Sequence, residues 1–298
     1  MALRPLDNLP VMTTPEKPKK PNKTAALNAC DCRVNDENTV PSAVTDPSIE
    51  YIDSEHLTSL PDPATNIDGL IERLASKNWL EVCEALNDVR RFALYHASML
   101  IPMLDKIMML LVRSMKNPRS ALCKTSIMAS ADIFTSYNHL LLSPSSPSTP
   151  QHEAFDHLLL QLLLKATQDK RFVCEEAEKA LRAMALSAPP LPLLQKLEPY
   201  VAHKNLKVRA KAAVSVSDCT AKLGIEGIKE FGLAKLLRIS AEILNDRLPE
   251  AREAARKIAN SMHVAYIGEE EAKYESWENL CTSNLAPIPA QSMIRIVS

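Results

Sequence analysis

Cationic side chains recur in this chain at one kind of place, the short polar breaks between apolar stretches. The breaks carry Lys77, Asn78 and Trp79; Lys116, Asn117 and Arg119; Lys170 and Arg171; Lys204, Lys207 and Arg209; and Arg247. Lysine and arginine keep their charge at neutral pH, so a row of them serves recognition of an acidic surface rather than bond making. Bond-making constellations are thin. His152 and His157 are five residues apart, which does not place them on one helical face. No H-E-x-x-H, G-x-S-x-G or glycine-rich phosphate loop occurs. Cys30 and Cys32 form a C-x-C without a second ligand pair, so neither a metal site nor a cofactor is expected. Glu269, Glu270 and Glu271 read as a solvated helix start. The chain is expected not to be an enzyme.

The elements that must position these cations are helices. Among 298 residues there are 5 glycines, and aromatic residues make up 4%. Sheets need β-branched and aromatic residues and glycine turns, so this composition points to an all-α fold. Ile67, Leu70, Ile71 and Leu74 keep helical spacing, as do Val82, Leu86, Val89 and Phe92. The alternation continues through stretches 100–115 and 121–134, 155–166 and 173–186, 191–201 and 208–223, and 233–244 and 250–262, with a last helix over 269–281. That is five pairs plus a remnant. The dipeptide Lys-Asn recurs at 77, 116 and 204, at multiples of about 40 residues. Two helices and a polar turn per 40 residues is the pattern of HEAT or armadillo repeats, and one pair cannot bury its apolar face alone. An α-solenoid of about five to six HEAT-like pairs is therefore expected over residues 64–283, with 284–298 as a C-terminal extension.

Residues 1–60 hold seven prolines and few large apolar residues, and are expected to be a disordered tail. Its cluster of Lys17, Lys19, Lys20 and Lys23 is either a solvated linker or an electrostatic arm. Residues 143–150 read as a flexible Ser/Pro loop. Ser143, Ser146 and Thr149 each precede proline there, so the loop is either a spacer or a set of phosphorylation sites. The formal net charge is −1, which argues against a nucleic-acid partner. Seven cysteines, an odd number set mostly in apolar helices, read as reduced thiols in a cytoplasmic protein. The longest apolar run is far too short for a membrane span, and a monomer is expected.

In stacked helical pairs the turns within pairs emerge along one edge, so the cations should align into a positive ridge. Asparagine at these turns also caps helices, but a cap needs no lysine or arginine, and cations are disfavoured at helix starts. Trp79 is either an interface anchor or a side chain folded back on the helix start.

The segment Leu74-Ala75-Ser76-Lys77-Asn78-Trp79, with Ala85-Leu86 and Val89-Arg90-Arg91, resembles the first repeat of TOG domains of the CLASP and crescerin (TOG array regulator of axonemal microtubules) groups. Met115-Lys116-Asn117-Pro118-Arg119-Ser120 is similar to their second turn, and Lys204-Asn205-Leu206-Lys207-Val208-Arg209 to their fourth. Ser276-Trp277-Glu278-Asn279-Leu280-Cys281 is similar to a segment that ends such domains. The resemblance covers residues 64–298. It implies a rigid paddle whose turn edge binds αβ-tubulin or microtubules, with Trp79 inserted against tubulin and the turn cations in polar contact. It also implies a place on the cytoskeleton and a role in the cilium or axoneme. The other reading is a HEAT scaffold for different protein partners. Where the family often has a basic residue after the turn tryptophan, Leu80-Glu81-Val82 follows here.

Overall fold

The computed structural model describes residues 51–142, 150–267 and 273–297. Twelve helices there form six antiparallel pairs: α1 (Leu70–Ala75) with α2 (Trp79–Tyr95), α3 (Leu104–Met115) with α4 (Ser120–Leu141), α5 (Pro150–Lys165) with α6 (Arg171–Ser187), α7 (Pro190–Val201) with α8 (Leu206–Phe231), α9 (Leu233–Leu244) with α10 (Pro249–Ile267), and α11 (Lys273–Asn284) with α12 (Pro287–Val297). No strand occurs among the described residues. The second helices α2, α4, α6, α8 and α10 pack side by side in that order, and the first helices back them. The all-α solenoid expected from the repeat is the fold.

The apolar positions that keep helical spacing are the ones the stack removes from water. Val82, Leu86, Val89 and Phe92 of α2 are buried, as are Ile107, Met108 and Leu111 of α3 and Leu158, Leu159 and Leu162 of α5. Each such side chain contributes roughly 1.5–3 kcal/mol on burial, which only neighbouring pairs can supply.

Local chemistry sets the helix limits. The 100–115 stretch is not one helix. Pro102 sits in a 3-10 turn, Ile101–Met103, and α3 begins at Leu104. The expected stop at Leu223 marks a break, since Gly224 takes φ +65° there and the helix then resumes to Phe231. Gly232, at φ +106°, ends α8 and turns the chain into α9.

Two expected boundaries are corrected. Residues 51–60 are not tail. Leu57 and Leu60 are buried, and this strap lies along α2. Arg90, wholly buried, donates from Nη1 to the Ile52 carbonyl at 2.6 Å, from Nη2 to Ser54 Oγ at 3.1 Å and from Nε to Asp132 at 2.8 Å. Tyr95 donates to the Leu57 carbonyl. The sequence-based boundary fell late because the strap is short and proline-flanked, and its partners lie 36 to 78 residues away. Nor is 284–298 an extension. Helix α12 buries Ala290 and Met293 and packs on α10, completing the sixth pair. Trp277 of α11, fully buried, meets His263 edge-to-face at 5.2 Å. Residues 1–50, the Ser/Pro stretch 143–149 with Ser143, Ser146 and Thr149, and Glu269–Glu271 lie outside the described residues.

Candidate functional site: a stitched edge of turns

Four of the five turns within the first five pairs are closed by the same small device. The side-chain oxygen of an Asn or Asp accepts the backbone amide two residues on: Asn78 from Leu80 at 3.1 Å, Asn117 from Arg119 at 2.9 Å, Asn205 from Lys207 at 3.0 Å and Asp246 from Leu248 at 2.9 Å. Asn78 and Asn205 thereby satisfy a free amide at a helix start, whereas Asn117 and Asp246 bond the amide of the residue just before the helix and so close the turn itself. Asn78, expected as a contact residue, is thus first of all a helix cap, and Asn117 a turn-closing residue. The third turn lacks the device, and Lys170 precedes α6 without a side-chain cap.

Side chains then tie each turn to the next. The Arg119 guanidinium lies 4.9 Å from the centre of the Trp79 ring, joining the first two turns. Lys170 Nζ donates to Ser120 Oγ at 3.0 Å, joining the second and third. Lys207 Nζ sits 3.5 Å from both the Thr167 carbonyl and Asp169 Oδ1, joining the third and fourth. Arg209 Nε donates to Asp246 Oδ2 at 2.8 Å and its Nη1 to the His203 carbonyl, joining the fourth and fifth. Arg252 Nη1 closes the fifth on the Asp246 and Arg247 carbonyls. The cations picked out by spacing are therefore neighbours on one edge.

Their states differ. Lys77, Lys116, Lys204 and Arg247 are exposed, and their side chains have no hydrogen-bond or ion-pair partner among the described residues. The Arg171 side chain is 90% exposed and pairs with Glu175 along its own helix, an exchangeable contact worth a few tenths of a kcal/mol. Arg209 is half-buried and committed to Asp246, so it is a stitch more than a free hand. Burial alone would raise the Asp246 carboxyl, but hydrogen bonds from Leu248 and Arg209 outweigh it and hold the group below the ordinary carboxylate value. Trp79 shares both expected characters. It packs partly against the core and keeps part of its ring on the rim beneath Arg119.

Spacing alone missed Phe172, 43% exposed beside Arg171, and the stitching partners Ser120 and Thr167. The described cysteines are free thiols. Burial pushes Cys83 and Cys281 up to about 11 and Cys219 to about 12, which makes them inert packing residues. No cluster of potential metal ligands occurs among the described residues, and Cys30 and Cys32 lie outside them. No described helix is long and apolar enough to cross a membrane.

No family model matches the chain. The mouse protein "TOG array regulator of axonemal microtubules protein 1" is 26% identical over 258 residues, covering 81% of this chain and 14% of that protein. The human protein of the same name is 26% identical over 151 residues, covering 51% of this chain and 8% of that protein. The chain thus spans a small fraction of the length of the curated relatives it matches. Among solved structures, the TOG domain of C. elegans Zyg9 superposes with a TM-score of 0.56 at 14% identity, over 77% of this chain and 80% of that one. A crescerin TOG domain, described as part of an array that regulates microtubules in the primary cilium, superposes with a TM-score of 0.55 at 14% identity, over 77% and 89%. Similarity in sequence and likeness in fold point the same way: the chain is similar to the crescerin-type relatives over most of its length and has the fold of TOG domains.

Proposed function

We propose that the chain binds αβ-tubulin through the stitched turn edge and acts on microtubules without catalysing a reaction. The observation that carries this reading is the continuity of the edge. Five turns about 40 residues apart in sequence are held side by side by contacts between their own cations, carboxylates and carbonyls. A rigid row of positive charge complements a large acidic protein face and orients it. Lys77, Lys116, Lys204 and Arg247 are the free contacts. Lys170, Arg171 and Lys207 exchange weak internal pairs for the partner. Arg119 and Trp79 present a joined cation and ring, Arg209 holds its neighbours in place, and Asn78 and Asn117 donate through their amides. The names of the relatives, and that of the crescerin structure, point to axonemal or ciliary microtubules as the place of action. The protein binds as a monomer on the cytoplasmic cytoskeleton in this reading.

A scaffold role would use the face built from the second helices. The strap 51–60 already occupies that face over α2 and α4, which favours the turn edge. The experiment is gel filtration of the full chain with αβ-tubulin. Wild type co-migrates, and Trp79→Ala combined with Arg119→Ala weakens co-migration, at a melting temperature that falls only by the partial core packing of Trp79 and leaves the variant folded. A double variant that co-migrates as wild type does removes the turn edge as the binding site.

A further inference from the structure

We propose that Phe172 is the central apolar anchor of the turn edge, a role that sequence spacing assigned to Trp79 alone. Phe172 occupies the first turn of α6, immediately after Arg171, and so stands on the third of the five turns. That turn is tied on one side to the second by Lys170 and Ser120, and on the other to the fourth by Lys207 with Thr167 and Asp169. Cationic edge therefore flanks Phe172 in both directions. Phe172 is 43% exposed, while the next residue, Val173, is 1% exposed and turned into the core. No ring stacking or cation–π contact engages it among the described residues.

Trp79 is placed differently. It starts α2 at one end of the row, packs partly into the core and carries the Arg119 guanidinium over its ring. Much of its surface is already spent inside the domain. A single exposed phenylalanine is ordinary on a protein surface. What separates this one is location: an unengaged aromatic ring at the middle of a charged row. Binding energy at protein interfaces concentrates in central aromatic side chains that seat in a pocket and are ringed by polar contacts that exclude water. Lys170 and Arg171 are that ring here. The partner surface it fits is an apolar pocket bordered by carboxylates on an acidic protein. The inference rests on the tubulin reading and gives that site its centre.

The test uses the full chain and purified αβ-tubulin, with the dissociation constant measured at two salt concentrations and the melting temperature measured alongside. The variants are Phe172→Ala, Phe172→Leu, and Lys116→Glu combined with Arg247→Glu. Phe172→Ala is expected to weaken binding about tenfold at unchanged melting temperature and salt slope, because no charge is lost. Phe172→Leu is expected to keep most of the affinity. Charge reversal is expected to weaken binding and flatten the salt dependence. If Phe172→Ala binds as wild type does while the charge reversal weakens binding, the anchor is overturned and the tubulin reading stands. If wild type itself does not bind, both are overturned.

Discussion

Arg209 and Asp246 bind two successive turns through one carboxylate. Oδ2 of Asp246 accepts from Arg209 Nε at 2.8 Å, and Oδ1 accepts the Leu248 amide at 2.9 Å. One side chain thus closes its own turn and fixes the distance to the turn before it.

Removing that carboxylate separates its two tasks. Asp246→Ala loses both bonds and should cost about 2 kcal/mol, from the lost amide contact and the stranded Arg209. Asp246→Asn keeps an oxygen for Leu248 and should cost about half as much. Because the folded-state pKa is lowered, the contribution is complete above the unfolded value near 3.8 and disappears as pH falls through the folded value. Denaturant titrations at pH 7 and pH 3 check this: the Asp246→Ala deficit should shrink at the lower pH.

Arg90 and the strap make a second test. Its guanidinium is wholly buried, and the Ile52 carbonyl and Ser54 hydroxyl serve it together with Asp132. A fragment starting at residue 61 strands part of that charge and uncovers the sites of Leu57 and Leu60. It should be several kcal/mol less stable than one starting at residue 49. Asp132→Ala in the longer fragment should cost about 3–5 kcal/mol. Thermal melts of the three proteins decide it, and equal melting temperatures for the two fragments would show the strap to be dispensable.

The buried thiols give a chemical readout. With Cys83 and Cys281 pushed up to about 11 and Cys219 to about 12, almost no thiolate exists at pH 8. Iodoacetamide should leave these three unmodified in the native protein for hours and label them within minutes in denaturant. Mass spectrometry of digests distinguishes the cases.

His263 carries a pH effect at the far end of the stack. Burial lowers its pKa below 6.5, and its ring meets Trp277 edge-to-face. The neutral ring is the one the fold prefers. Its contribution is whole above about pH 6.5 and is lost as pH falls through the folded value. His263→Phe keeps an aromatic partner for Trp277 without the proton. The drop in melting temperature from pH 7.5 to pH 5 should be smaller in this variant than in wild type.

The amino-acid sequence by itself determined the first five helical pairs and the period of the array, because 3.6-residue spacing and recurrent Lys-Asn turns are local signals. It also picked out the cations of the turns. Only the tertiary structure decided which of them are free. Whether Arg209 faces a partner or Asp246 depends on a residue 37 positions away, and no spacing rule reaches that far. The same holds for the strap, whose anchor Arg90 finds Asp132 across 42 residues, and for Phe172, whose exposure follows from how α6 sits between its neighbours. Local pattern writes the elements, whereas burial and charge pairing belong to the packed stack. Those long-range contacts decide which side chains the edge has left to offer.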